Sequence, residues 1–138
     1  MSFANSRLLY HSKSFVIHSE LTFRKDMRNT IPTNYSEAVG FLKGKDSRNI
    51  HGKRSTKVVQ ESDQSVSLYY HRTPVVTWYL DGRIVLRSGG HYTVTTKRRM
   101  NDAVPDIRVW QRNFEWWVTP IHGNTQENPI PFHDGMVV

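Results

Sequence analysis

The sequence contains no cysteine, which excludes disulfide bonds and zinc sites built on thiolates. It also lacks an apolar run long enough to span a membrane, and its N-terminus lacks the hydrophobic segment of a signal peptide. From these absences we expect a protein of the cytoplasm that has no membrane partner.

The sequence also gives little support for metal-dependent or cofactor-dependent chemistry. The 7 histidines are scattered, and no two of them have the spacing that places ligands on one face of a strand or helix. Clustered carboxylates are missing too, because the central part of the chain offers only Asp102 and Asp106 to a metal that would assist phosphoryl transfer. We therefore expect no metal site and no cofactor.

Acidic residues are sparse, with 12 Asp and Glu against 19 Lys and Arg and a net charge of +7. Residues 1–60 hold eleven basic and four acidic residues, and residues 87–112 hold six and two, whereas residues 113–138 hold none and three. Such an uneven distribution favours a polyanionic partner, with nucleic acid first. The alternative is charge that only keeps the protein in solution.

The patterning predicts an α+β protein, in which a twisted antiparallel sheet of about five or six strands packs with two short helices. We assign residues 1–33 to a basic N-terminal arm or leader and residues 34–138 to a single α+β domain. Within the arm, residues 14–17 and 21–23 could form short strands. The first helix is predicted at residues 35–43, where Asn34 and Glu37 have the spacing of a capping box.

Runs of β-branched and aromatic residues predict most of the strands. After a solvated connection at 43–57, strands are expected at 58–59 and 66–70. The tail from residue 119 onward contains Pro120, Pro129 and Pro131, so we expect an irregular course that ends in an edge strand at 136–138.

The clearest hairpin joins residues 75–80 to residues 83–87 around Asp81-Gly82, a pair that tolerates positive φ at both turn positions. A two-residue loop there would place Trp78 opposite Val85. Both faces of this ribbon carry apolar side chains, so we expect both to be covered.

A basic segment follows this hairpin. After Gly89-Gly90 we expect a strand at 91–94, an N-cap from Thr95 or Thr96, and a helix at 97–104 that Pro105 ends. The buried stripe of this helix should consist of Met100, Ala103 and Val104.

This helix would carry three cations, Lys97, Arg98 and Arg99, in its first turn, where the positive end of the helix dipole disfavours them unless an anion is near. One interpretation is that the cations and the hydroxyls of Thr95 and Thr96 hold phosphate groups. The other is that the threonines only cap the helix and the basic side chains point into solvent.

A second hairpin is predicted from residues 107–111 and 114–118 around Arg112-Asn113. Its three tryptophans, Trp110, Trp116 and Trp117, should divide between the two faces of the sheet as core and cover. Alternatively, they form a stacking platform for unpaired bases beside Arg108 and Arg112.

An enzyme remains a third possibility. A ribonuclease without a metal needs a general base, a general acid and a cation at the phosphate. The only catalytic candidates are His71 and His91, with Thr95, Lys97 and Arg98 to support them.

Three segments carry a family resemblance. Residues 89–101 read Gly-Gly-x-x-Thr-x-Thr-Thr-Lys-x-Arg-x-Asn, residues 71–77 read His-x-Thr-x-Val-Val-Thr, and residues 81–86 read Asp-Gly-x-Ile-x-Leu. With these motifs the chain resembles a group of small uncharacterised bacteriophage proteins, which usually have Trp where this sequence has His91. The resemblance implies a phage origin and a location in the host cytoplasm, with the virion as the alternative.

These observations lead to three functional hypotheses. The first is a phage-encoded accessory protein that binds nucleic acid in the infected cell, with Thr95, Thr96, Lys97, Arg98, Arg99, Arg108 and Arg112 as contacts. The second is a phage structural or interaction protein that binds a phage or host protein, either as a minor virion component or as an inhibitor of a host factor. The third is the small ribonuclease.

Overall fold

The computed structural model of the protein describes residues 27–138, so the two candidate strands of the arm lie outside the described residues. Within residues 27–138 there are two complete helices and ten strands, in antiparallel sheets of six and four strands. The predicted α+β class with an antiparallel sheet is confirmed, but the second hairpin belongs to a separate sheet. In chain order the elements are α1 (Tyr35–Leu42), β1 (Ser47–Asn49), β2 (Thr56–Gln60), β3 (Val66–Tyr70), β4 (Thr73–Trp78), β5 (Ile84–Leu86), α2 (Val94–Ala103), β6 (Ile107–Arg112), β7 (Glu115–His122), β8 (Thr125–Gln126), β9 (Ile130–Pro131) and β10 (Met136–Val137).

The first sheet has the strand order β1-β2-β3-β4-β5-β10. Its register places one apolar residue from each of five neighbouring strands in a single row, and all five side chains are buried. This row consists of Val58, Leu68, Val76, Leu86 and Met136. The edge strand expected at the C-terminus is therefore confirmed as β10, and its Met136 closes the row.

Helix α1 packs against β2 and β3 and begins as the sequence predicts. The side chain of Asn34 accepts a hydrogen bond from the Glu37 amide, and the Glu37 carboxylate accepts hydrogen bonds from the amide and hydroxyl of Thr33. Lys43 ends the helix with a left-handed φ of 52°. Ile31, which precedes the helix, is also buried in the common core.

The predicted register of the β4–β5 hairpin is wrong by one residue. Trp78 lies opposite Ile84, and the Tyr79 amide donates to the Arg83 carbonyl, so the loop has three residues, 80–82. Gly82 takes a positive φ of 94° whereas Asp81 does not, because a three-residue loop needs only one left-handed residue before the second strand. Residues 75–78 are all buried, so both faces of β4 are covered, as expected.

The predicted start of α2 is also wrong. The helix begins at Val94, and its N-cap is Thr93, whose hydroxyl accepts a hydrogen bond from the Thr96 amide. Residues 91–93 therefore form an irregular approach rather than a strand. The earlier start places Lys97 in the second turn, which weakens the expected conflict with the helix dipole.

The second sheet consists of the hairpin β6–β7, with β8 and β9 paired to the other edge of β7. Arg112 lies opposite Glu115, so the turn residues are Asn113 and Phe114 rather than Arg112 and Asn113. The helices and both sheets share one cluster of buried apolar residues. Neither complete helix in residues 27–138 is long and apolar enough to cross a membrane.

Candidate nucleic-acid interface

The face of the second sheet that points away from the core carries aromatic and basic side chains. Cross-strand partners in an antiparallel pair share a face, so Arg108, Trp110 and Arg112 on β6 lie on the same side as Trp117 and Thr119 on β7. We call this surface the outer face. The residues of β6 that alternate with it, Ile107 and Val109, are buried.

The two tryptophans of the outer face form a stacked pair. The rings of Trp110 and Trp117 have centroids 6.3 Å apart and planes inclined by 26°, and both side chains are half-buried. The Trp110 indole nitrogen donates to the Thr119 hydroxyl at 2.8 Å, which fixes the orientation of that ring. A shallow cavity of about 380 Å³ lies against the pair.

The third tryptophan of the hairpin belongs to the core. Trp116 is 5% exposed on the opposite face and packs edge-on against Tyr92 and beside Phe132. The tryptophans therefore divide between the two sheet faces, as the sequence predicts, and the pair on the outer face is half-buried.

Two arginines flank the stacked pair. Arg108 and Arg112 occupy alternate positions on either side of Trp110, and both are exposed. Within residues 27–138 neither guanidinium forms a hydrogen bond or an ion pair, although Glu115 lies opposite Arg112 across the strands. Unpaired exposed guanidinium groups beside aromatic rings can contact phosphate and stack on bases.

Phe114 lies at the tip of the same hairpin. Its side chain is 96% exposed, and its φ of 66° follows a φ of 54° at Asn113. A bulky residue at positive φ is rare because its Cβ crowds the backbone, and this turn position strongly favours Gly. Phe114 was not among the predicted site residues, because the turn was expected one residue earlier, at Arg112-Asn113.

Five predicted phosphate contacts lie on α2, and two of these are buried. Thr96 is 1% exposed, and its hydroxyl lies 2.9 Å from that of Thr93. Arg99 is 8% exposed, and its Nε donates to the Thr56 hydroxyl at 2.9 Å. Thr96 and Arg99 therefore do not belong to an exposed surface.

The other three lie nearer the surface. Lys97 donates to the Gln111 amide oxygen at 3.1 Å and lies 5.5 Å from the centre of the Trp116 ring. Arg98 is exposed and Thr95 is half-buried. None of the three lies on the outer face, because they belong to the helix beside β6 rather than to the strand.

Asn101, the last residue of the sequence motif, holds α2 against the edge of the second sheet. Its side-chain amide donates to the Val109 carbonyl at 2.9 Å and accepts from the Val109 amide at 2.6 Å. It therefore satisfies backbone groups that an edge strand otherwise leaves open. Sequence reasoning assigned no role to Asn101.

The two candidate catalytic histidines line a separate cleft of about 520 Å³ between the β3–β4 turn and the start of α2. We call it the glycine-loop cleft, because Ser88, at the start of the Gly89-Gly90 loop, also lines it. Of the residues proposed to support a ribonuclease, Thr95, Lys97 and Arg98 do not line this cleft. Within residues 27–138 no three His, Cys, Asp or Glu side chains form a group that could hold a metal ion.

Asp134 holds the loop that borders this cleft. Its carboxylate accepts hydrogen bonds from the Ser88 hydroxyl at 2.7 Å, the Ser88 amide at 2.9 Å and the Gly89 amide at 2.9 Å. Burial raises the pKa of Asp134, but these hydrogen bonds and the nearby charge of Arg87 outweigh burial and leave the pKa below its ordinary value of 3.8.

Comparison with known proteins gives one family. The family model described as Kyanoviridae Gp96 protein matches residues 27–138, which is the whole of the described part of the chain. No curated protein and no solved structure matches the chain.

Proposed function

Because the chain belongs to the Kyanoviridae Gp96 protein family, and is thus a phage protein, we propose that it binds single-stranded nucleic acid in the infected cell. The site is the outer face of the second sheet. The observation that carries the proposal is the stacked pair of Trp110 and Trp117 between two guanidinium groups that have no partner in residues 27–138.

The aromatic pair supplies the surface for bases. Stacking of a base on an aromatic side chain contributes ~1–3 kcal/mol and requires no particular sequence, because every base has a π face. Trp110 and Trp117 are held in place by each other and by Thr119, so little side-chain freedom is lost when a base binds. Bases of a duplex are already stacked, so this mode favours unpaired strands.

The two arginines supply contacts to phosphate. Arg108 and Arg112 are four residues apart on one strand, with Trp110 midway between them, so their Cα atoms are separated by roughly 13 Å. Each phosphate of a single strand that is neutralised on binding contributes about −0.7 to the slope of log affinity against log salt concentration. The positive net charge of the whole protein supports association with the same polyanion.

Phe114 extends this surface at the tip of the hairpin. The side chain is almost fully exposed, so it has few contacts that could stabilise the fold, and the turn holds this residue at a φ that is unfavourable for any residue with a Cβ. A role in binding explains both features, because an exposed ring at the end of the stacking surface can cover the last bound base. The strain is then a cost to folding that binding offsets.

The proposal is tested with fluorescein-labelled DNA and RNA oligonucleotides of about 12 nucleotides, single-stranded and as duplexes, by fluorescence anisotropy. Trp110→Leu and Trp117→Leu should each weaken single-strand binding by roughly fivefold or more, the loss of one stacked base. Tyr79→Leu is the matched control, because Tyr79 forms an aromatic and arginine pair with Arg83 at the other hairpin. Equal losses for Tyr79→Leu and the Trp variants, or no binding by the parent protein, would contradict the proposal.

Phe114→Gly separates binding from folding. It creates an Asn-Gly turn, which relieves the strain, so thermal stability should rise by ~1 kcal/mol. Affinity for the single strand should fall, because the terminal ring is gone. If the variant is more stable and binds as tightly as the parent, Phe114 is not part of the binding site, and the site is limited to the Trp pair and its flanking arginines.

A second function rests on the same composition. Trp and Arg are also the residues that dominate protein–protein hot spots, so the outer face could bind a phage or host protein. A pull-down from infected-cell extract with and without nuclease distinguishes the two. Loss of all partners after nuclease supports nucleic acid, and a retained protein partner supports the interaction protein.

A further inference from the structure

Arg99 is a buried cation without a counter-ion in the described part of the chain. Only its Nε has a hydrogen-bond partner, the hydroxyl of Thr56, and its guanidinium carbon lies 5.8 Å from the centre of the Tyr70 ring. Within residues 27–138 no carboxylate lies within ion-pair distance of it. A buried charge without a partner is costly unless an anion compensates it.

The glycine-loop cleft lies next to this charge. The same Tyr70 ring lines the cleft, and so does Thr96, one helical turn before Arg99. The basic residues of the lining are His71, Arg72 and His91. No carboxylate is among the lining residues, although the Asp134 carboxylate accepts hydrogen bonds from Ser88 of the lining.

The β3–β4 turn, which borders the cleft, holds one residue in an unfavourable backbone conformation. His71 and Arg72 form a two-residue loop in which only His71 takes a positive φ, of 55°, at the position where turns of this pattern favour Gly. Its ring contacts the Tyr70 ring in a tilted arrangement, with centroids 4.4 Å apart and planes inclined by 55°. Backbone strain of this kind is retained where a side chain has a role that Gly cannot fill.

The opposite wall is a loop that is fixed by close contact. A Cβ on Gly89 would lie 2.6 Å from the Thr73 hydroxyl oxygen, so the loop can approach β4 only because residue 89 is Gly. The Asp134 carboxylate anchors this loop through Ser88 and Gly89. The cleft therefore has two fixed walls.

We propose that the glycine-loop cleft is a binding site for a phosphomonoester, separate from the outer face, in which His71, Arg72 and His91 contact the phosphate. A phosphomonoester carries close to two negative charges at neutral pH, which suits three donor side chains and the uncompensated charge of Arg99, 5.8 Å from the Tyr70 ring. The group can come from a free nucleotide or from the phosphorylated end of a nucleic-acid strand. This site does not depend on binding at the outer face.

The test is isothermal titration calorimetry of the full chain with four probes: inorganic phosphate, a nucleoside 5′-monophosphate, a dinucleotide with a 5′-phosphate and the same dinucleotide without it. Arg72→Gln and His91→Ala should each weaken binding of the phosphorylated probes by about tenfold, the loss of one charge-assisted hydrogen bond. Both side chains are exposed and have no side-chain hydrogen bond in residues 27–138, so the fold should be unaffected. Any binding of the unphosphorylated dinucleotide should be the same for the parent and for these variants.

Matched controls are Arg54→Gln and His51→Ala in the connection between β1 and β2, which remove exposed side chains of the same types outside both proposed sites. Preferred binding of the monophosphate identifies a free nucleotide, and preferred binding of the phosphorylated dinucleotide identifies a strand end. Absence of binding by every phosphorylated probe, or equal losses in the controls, overturns the site. If Arg112→Gln weakens single-strand binding but leaves phosphate binding unchanged, the two sites are distinct. Failure of one proposal then does not imply failure of the other.

Discussion

The basic residues on α2 and those on β6 differ in what they contact. Lys97 and Arg99 on the helix contact Gln111 and Thr56, whereas Arg108 and Arg112 on the strand contact no acceptor in residues 27–138. The helix lies between the two sheets, so its side chains meet protein on several sides. The outer face of β6 has no covering layer in that part of the chain, and its cations stay available.

This difference shows that a run of basic residues is a weak indicator of a binding surface. The string Thr-Thr-Lys-Arg-Arg suggests phosphate contacts, yet Thr96 and Arg99 are buried within the fold. The more widely spaced Arg108 and Arg112 are less conspicuous, but alternation along a strand places both on one exposed face. Each prediction below tests one side of this contrast.

The largest effect is expected at the glycine loop. Gly89→Ala should lower the free energy of unfolding by ~3 kcal/mol, because the new Cβ both clashes with Thr73 and forces a non-glycine residue to a φ of 61°. Gly90→Ala, where φ is 82° and no atom lies within 4 Å of the Cβ, should cost only ~1 kcal/mol. Urea denaturation measures both. Equal costs at the two positions would mean that contact with Thr73 does not hold the motif in place.

The next largest effect is expected at Asn101. Asn101→Ala removes both hydrogen bonds to Val109 and should lower stability by ~2 kcal/mol. Asp102→Ala, the exposed neighbour, should change stability by less than ~0.5 kcal/mol. If urea denaturation finds the two variants alike, the motif does not dock α2 on the second sheet as the contacts indicate.

The hairpin cations should behave in the opposite way. Arg108→Gln and Arg112→Gln should leave stability within ~0.5 kcal/mol of the parent, because neither guanidinium has a partner to lose. The double variant should reduce the salt slope of single-strand binding by about 1.4, or 0.7 for each lost phosphate contact. Arg98→Gln is the control from α2. A slope change for Arg98→Gln as large as for the strand variants would contradict the contrast between helix and strand.

The smallest effect concerns pH and the anchor of the glycine loop. The pKa of Asp134 is lowered from 3.8 in the folded state, so its contribution to stability is present above pH 3.8 and is lost as the pH falls below 3.8 through the folded pKa. Asp63 and Asp81 also have lowered pKa values, so the parent loses stability on acidification for several reasons. The informative quantity is the difference between the parent and Asp134→Asn. That difference should shrink as the pH falls, and a constant difference would show that the charge of Asp134 does not hold the loop.

The local elements were largely predictable from the sequence. The capping box at Asn34 and Glu37 and the terminal edge strand depend on side-chain patterns within a few residues of each other. The same is true of the strands that were predicted at 66–70 and 75–80 and that form at 66–70 and 73–78. The registers were less predictable. In the β4–β5 hairpin, a turn at 80–82 instead of 81–82 lengthens the loop by one residue and reverses which side chains share a face. In the β6–β7 hairpin, a turn at 113–114 instead of 112–113 keeps a two-residue loop and the same faces, but it moves each cross-strand partner by two residues.

The candidate site was predictable in part. The three tryptophans and the arginines beside them were recognised as core, cover or stacking platform, but the composition does not say which ring takes which role. The position of Phe114 in the turn could have been predicted from its neighbour Asn113, because Asn is common at positive φ in turns and so favours a turn at 113–114. Asn101 carried none, because its partner is the backbone of a strand in another element.

The sequence by itself determined that this protein is an α+β protein with a basic net charge, no cysteine and a strong capacity for antiparallel strands, since these follow from residue type and spacing. The tertiary structure decided which cations stay free. Arg99 and Arg112 have the same side chain, and only the packing of α2 against β3, β4 and β6 buries one of them while the outer face leaves the other exposed. Burial depends on contacts between residues far apart in the chain, such as Arg99 and Thr56, and local patterns carry no information about them.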